Sequence, residues 1–215
     1  MIYTTSCRKS LSPHRASLQR IQGVHIKCHR ETKTALIAGA TELDLVLNVP
    51  DLLAHSYSKI YTELSSIRQR APPPIAIKLI LETSLLNFAQ IIAASVLASA
   101  ANLNFIKTST GFLGPTTGAK IEDVQLMKRC CEKFVQTSAR GERREMRVKA
   151  SGGIRTLQDA VKMLEAGAER LGTSGGVWIA KEAEEAARRS ASPQSVLDEM
   201  EAGRPALATR LYTDY

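Results

Sequence analysis

The chain has 215 residues, 44% of them hydrophobic, with 29 Lys and Arg against 21 Asp and Glu, a formal net charge of +8. This length and apolar content suit one domain or slightly more, with a sizeable core, and exclude a disordered chain. No apolar run reaches the roughly 18 residues of a membrane span, so no membrane partner is expected.

The charge is unevenly placed. Residues 1–35 carry Arg8, Lys9, Arg15, Arg20, Lys27, Arg30 and Lys33 against the single acid Glu31, which accounts for +6 of the +8. The rest is close to neutral, so a body built to bind nucleic acid is not expected. Residues 1–30 read as a basic leader, 31–190 as the folded body and 191–215 as a polar tail. Ser6, Ser10, Ser12 and Ser17 among spaced arginines have the composition of an organellar transit peptide. A divergent start and a phosphate- or nucleic-acid-binding arm are the other readings of the leader. His25, Cys28 and His29 lie close together, but no second ligand cluster follows, so no metal is expected. Cys7, Cys28, Cys130 and Cys131 form no CxxC pair and read as reduced thiols of an intracellular protein. A cytoplasmic location is expected, with a mitochondrial one as the alternative that the leader raises.

From residue 31 the pattern becomes regular. Glu42–Val49, Ile75–Thr83, Phe105–Thr110, Arg147–Ile154 and Arg170–Ser174 read as strands, with a sixth near Gly23–Cys28. Between them Asp51–Arg70, Leu85–Ala101, Ile121–Ala139 and Thr156–Gly167 read as helices, with apolar residues three and four apart. Gly39 and Gly167, each between two alanines, close helices just before a strand. Strict alternation of strand and helix predicts parallel strands joined by right-handed crossovers.

Parity along the strands separates a doubly wound sheet from a closed barrel. Leu43, Leu45, Leu47 and Val49 share one face, and Glu42, Asp44, Val46 and Asn48 the other. Ile75, Ile77, Leu79 and Leu81 oppose Ala76, Lys78, Ile80 and Glu82, while Lys107 and Lys149 each share a face with Phe105 or Arg147. Sheets covered on both sides by helices need two apolar faces. One apolar face and one ionisable face predict a TIM-type (β/α) barrel with its site at the C-terminal mouth.

Burial and a neighbouring cation both favour the neutral form of a lysine, which can then attack a carbonyl and form a Schiff base. Lys107 and Lys149 offer such a pair, and Asp44 an inward carboxylate able to relay protons or polarise water. The competing reading is a buried network in which the lysines only neutralise Asp44 and Glu82. Gly152 and Gly153 follow one strand, and Gly172, Thr173, Ser174, Gly175 and Gly176 follow the next and open a helix, a pattern suited to a phosphate.

These stretches resemble the deoxyribose-phosphate aldolases, the DeoC family of class I aldolases. The matching segments are Ala38–Val49, Lys78–Leu86, Asn104–Gly111, Val148–Thr156 and Leu171–Gly176, within about residues 31 to 180. The resemblance implies Lys107 as the Schiff-base lysine, Lys149 as the second lysine that keeps the first deprotonated, and Asp44 in the proton relay. It implies phosphate contacts at Gly152, Gly153, Gly172, Thr173 and Ser174, and no cofactor, since the iminium is the electron sink. The implied reaction is reversible cleavage of 2-deoxy-D-ribose 5-phosphate to D-glyceraldehyde 3-phosphate and acetaldehyde. The family's Asp-His-Thr strand has no counterpart in residues 1–30, so a barrel incomplete at the N-terminus, with five or six strands, is expected. The alternative function is an impaired or non-catalytic phosphosugar-binding member. A homodimer is left open as the assembly.

Overall fold

Alternation of short β-branched segments with Ala-, Leu- and Glu-rich ones gives alternating strands and helices. The computed structural model describes residues 2–5, 31–111, 118–137, 143–189 and 211–212. In chain order these form β1 (Ile2–Thr5), α1 (31–37), β2 (Glu42–Val46), α2 (Val49–Leu53), α3 (Tyr57–Arg70), β3 (Ala76–Ile80), α4 (Phe88–Ala100) and β4 (Phe105–Lys107). There follow α5 (Ile121–Lys133), β5 (Gln136–Thr137), β6 (Arg143–Arg144), β7 (Arg147–Ser151), α6 (Leu157–Glu165), β8 (Arg170–Gly172), α7 (Gly176–Arg189) and β9 (Leu211–Tyr212). The expected strand near Gly23–Cys28 and the His25, Cys28 and His29 group lie outside the described residues.

Every pairing in the main sheet is parallel, and its strand order, β1-β2-β3-β4-β7-β8-β9, follows the chain without reversal. A doubly wound sheet reverses direction at a switch point. This one does not, and it is the singly wound sheet of a β/α barrel. The five expected strands are all present, each shorter than predicted. β1 and β9 add an outer strand at each end, in stretches expected as leader and tail. β5 falls where the sequence suggested the end of a helix, and it pairs with β6 in a small antiparallel ribbon.

The predicted helix over 51–70 is two helices. Asn48 caps α2 with Pro50 in its first turn, and His55 then takes a left-handed conformation at φ 54° before Ser56 opens α3. Asn87 and Gln90 form a reciprocal capping box that starts α4 at Phe88, and Thr156 with Asp159 does the same for α6.

The parity reading holds. Leu43, Leu45, Ile77, Leu79, Ile106, Val148 and Ala150 are buried in one apolar core with Leu52, Ile60, Ile67, Ile91, Val124 and Met127 of the covering helices. Each such side chain removed from water contributes about 1.5–3 kcal/mol, so this outer core supplies the main driving force for folding. The opposite face of the sheet carries Asp44, Lys78, Lys107 and Lys149, which are also buried.

Candidate active site

Register places the charged groups. Asp44 on β2 lies beside Lys78 on β3, Ile80 beside Lys107 on β4, and Lys107 beside Lys149 on β7. Neighbouring strands of a parallel sheet thus deliver a carboxylate and three amines to one face. Asp44 is fully buried, and Lys78, Lys107 and Lys149 are no more than 4% exposed.

The Asp44 carboxylate is the hub. Its Oδ1 accepts from Lys78 Nζ at 2.9 Å and its Oδ2 from Lys107 Nζ at 3.0 Å, with Lys149 Nζ 4.0 Å from the same Oδ2. Burial alone would raise the Asp44 pKa. The adjacent charges of Lys107, Lys78 and Lys149 outweigh it and hold the carboxyl below its usual range. The three residues singled out in the sequence are therefore brought together.

Lys78, Glu42 and Arg170 extend the cluster. Lys78 Nζ also meets Glu42 Oε2 at 2.6 Å, and Arg170 Nη1 donates to both Glu42 oxygens. Burial opposes ionisation of Glu42, but hydrogen bonds from Lys78 and Arg170 and their charges lower its pKa overall. The buried Phe105 ring has both Arg147 and Arg170 over it, with Cζ atoms 4.4 and 4.5 Å from its centroid. Sequence parity put Lys78 and Glu42 on the correct face without marking them as parts of the site.

The C-terminal strand ends are tied to one another. Thr108 Oγ1 donates to the Ser151 carbonyl at 3.1 Å and accepts from the Ser151 N–H at 2.9 Å, joining β4 to β7. Beyond β7, Gly152 and Gly153 turn with φ of 85° and 77°, conformations that cost other residues strain. The Gly152 N–H donates to the Gly172 carbonyl and the Gly152 carbonyl accepts from Ala119 N–H, so this loop is packed in place and that amide is engaged. Thr173 is buried, its hydroxyl donating to the Ile154 carbonyl and accepting from the Gly175 N–H, while Ser174 is exposed just ahead of α7. Gly172 makes room for the lysine cluster: a Cβ there would stand 2.4 Å from Ser151 Oγ and 3.0 Å from Lys149 Cε. All five glycine-loop residues lie at the same end of β7 and β8.

Among the described residues, no group of three or more His, Cys, Asp or Glu side chains is arranged to hold a metal ion, and no helix is long and apolar enough to cross a membrane.

Parallel strands wound in chain order around buried amines and carboxylates define a β/α-barrel protein with a lysine-centred site. The chain belongs to the DeoC/LacD aldolases: the model for DeoC/LacD family aldolase matches residues 11–183, beginning some twenty residues ahead of the motif-bearing stretch. It is 48% identical over 152 residues to a deoxyribose-phosphate aldolase from Coccidioides immitis, covering 71% of this chain and 53% of that protein. It is 38% identical over 185 residues to deoxyribose-phosphate aldolase 1 from Mesoplasma florum, covering 83% of this chain and 78% of the relative. Among solved structures it is similar to a tetrameric deoxyribose phosphate aldolase from Aeropyrum pernix, with a TM-score of 0.60 and 32% identity over 72% of this chain and 60% of the other. The chain thus spans little more than half the length of the Coccidioides protein.

Proposed function

We propose that this protein cleaves 2-deoxy-D-ribose 5-phosphate reversibly to D-glyceraldehyde 3-phosphate and acetaldehyde, using Lys107 as the Schiff-base nucleophile. The observation that carries this reading is the meeting of Lys107 and Lys149 at one buried oxygen of Asp44. A structural ion pair needs one amine per carboxylate. Here three amines meet at Asp44, two of them, Lys107 and Lys149, at the same oxygen, which sets a second amine beside the nucleophile. Relatives named for this activity support the choice of substrate.

In the proposed reaction the Lys107 amine adds to C1 of the open-chain aldehyde and water leaves, giving an iminium. The C3 hydroxyl then loses its proton, the C3 carbonyl forms, and the C2–C3 electron pair moves into the iminium to leave an enamine. Protonation at C2 and hydrolysis return the free amine and release acetaldehyde. Asp44, with Lys149 as the second cation, is assigned the relay of these protons. The substrate phosphate is assigned to the loops of Gly152, Gly153, Gly172, Thr173 and Ser174, ahead of the N-terminus of α7, with Gly152 shaping the turn because its own N–H donates to the Gly172 carbonyl. A homodimer in the cytoplasm is the proposed setting, in keeping with free, buried Cys130 and Cys131.

The test is borohydride reduction in the presence of acetaldehyde, followed by peptide mass spectrometry. An ethyl adduct on Lys107, together with turnover of 2-deoxyribose 5-phosphate, is the expected result. Folded protein that binds the phosphosugar but gains no adduct would replace this reading with that of a non-catalytic binder.

A further inference from the structure

Beyond the amine cluster, Glu82 stands just past the end of β3. The residue is only 4% exposed, yet it adopts a left-handed conformation at φ 46°. Glutamate rarely takes such a backbone, and it persists only where the surroundings enforce it. Its Oε2 accepts from Thr110 Oγ1 at 2.6 Å and from the Thr110 N–H at 3.3 Å. Its Oε1 is buried with no hydrogen-bond partner among the described residues. A strained backbone and an unmatched carboxylate oxygen at one buried residue are two separate costs, and fold stability explains neither.

The neighbours of Glu82 explain its placement. Leu81 N–H donates to the Lys107 carbonyl at 2.8 Å, and Thr83 N–H to the Thr108 carbonyl at 2.9 Å. With Thr110 held by the Glu82 side chain, three consecutive residues grip the strand end and loop that start at Lys107. The left-handed turn at Glu82 ends β3 there and opens the short 3-10 turn Thr83–Leu85.

We propose that Glu82 is a positioning residue for Lys107: by clamping Thr110 it fixes the path of residues 107–111 and so the direction from which the Lys107 amine meets a carbonyl. This inference rests on the proposed Schiff-base role of Lys107. Gln at position 82 keeps an oxygen able to accept from Thr110, whereas Ala keeps none.

The test compares the 215-residue chain with Glu82→Gln, Glu82→Ala, Thr110→Val and the Glu82→Ala/Thr110→Val double variant. The readout is the rate of acetaldehyde–borohydride adduct formation at Lys107 relative to exposed Lys59, beside the thermal midpoint of each protein. Glu82→Ala and Thr110→Val are each expected to slow labelling of Lys107 about tenfold or more, the double variant no further, and Glu82→Gln to stay within about threefold of wild type. A merely structural role would shift the thermal midpoint and leave the Lys107 to Lys59 ratio unchanged, which overturns the inference. Additive losses in the double variant overturn it too. Wild-type protein in which Lys107 labels no faster than Lys59 overturns the Schiff-base reading, and this inference with it. Normal wild-type labelling that is equally fast in all variants overturns the inference alone.

Discussion

Arg170 on β8 and Glu42 on β2 have three strands between them, yet one guanidinium nitrogen donates to both carboxylate oxygens at 2.8 and 2.9 Å. In a flat sheet, four strand spacings would hold them roughly 19 Å apart. The pair therefore records how tightly the sheet is rolled, and it links the two ends of the five-strand unit across the barrel interior. Arg170→Met removes this link and one of the two guanidinium groups over Phe105. The expected cost is about 2 kcal/mol, in the range of a hydrogen bond to a charged group, read as a lower urea midpoint. Arg170→Lys, which lacks the planar guanidinium that lies over the Phe105 ring, should recover only part of it. A variant as stable as wild type would show that strand pairing alone sets the curvature.

The same alternation of charge predicts how stability responds to acid. Asp44 and Glu42 are both held below their usual carboxylate range by the surrounding cations. A carboxyl whose pKa is lower in the folded than in the unfolded chain contributes stability that is fully present above the unfolded value, about 3.9 for Asp and 4.3 for Glu. That contribution disappears as pH falls through the lower folded value. Urea midpoints should therefore be level from pH 7 to about 5 and fall steeply below about 4. Asp44→Asn should lose about 3–5 kcal/mol at pH 7, because three buried amines lose their shared counter-charge, and should also flatten the acid slope. An unchanged slope would place the acid sensitivity elsewhere.

Lys78 shows where sequence reading ends. Alternation along a strand is local, so Asp44, Lys78, Lys107 and Lys149 could be sorted onto one face before any fold was known. Which of them touch depends on register between strands, and Lys78 and Asp44 are 34 positions apart, Arg170 and Glu42 128. The break at His55 and the left-handed Glu82 were equally unreadable, since neither is a glycine; His55 is exposed with only local contacts to Leu52 and Tyr57, and Glu82 is held by Thr110, 28 positions away. By contrast, Asn87 with Gln90 and Thr156 with Asp159 are local capping pairs, and such helix starts are legible from spacing alone.

Lys78 itself can be tested. It bridges Asp44 and Glu42 while 1% exposed, so Lys78→Met leaves each carboxylate one cation short. The expected loss is about 3 kcal/mol of stability. Asp44 would also be free to rotate away from Lys107, and adduct formation at Lys107 should fall about a hundredfold, the scale on which general acid–base catalysis contributes. Loss of stability with labelling intact would make Lys78 purely structural.

Gly172 tests the room that Lys149 needs. Its added Cβ would press on Ser151 Oγ at 2.4 Å and on Lys149 Cε at 3.0 Å, and the Lys149 side chain is buried with little space to retreat. Gly172→Ala is expected to cost about 1–3 kcal/mol by overpacking and to displace Lys149 from Asp44. Ser151→Ala removes the nearer clash, so the Gly172→Ala/Ser151→Ala pair should regain much of the stability while Lys149 stays displaced and activity stays low. Full recovery of activity in the pair would mean that Ser151, not Lys149, limits what position 172 can hold.

The adjacent thiols on α5 provide a probe of local opening. Cys130 and Cys131 are both buried, and burial pushes the Cys131 thiol up to about 12 and raises Cys130 as well. Thiolate is the reactive form, so neither should react in the native state at pH 8. Alkylation followed by mass spectrometry of the peptide that holds both residues should show labelling only as urea unfolds the protein, along the same curve as circular dichroism. Labelling well before that transition would mean that α5 opens separately from the rest of the barrel.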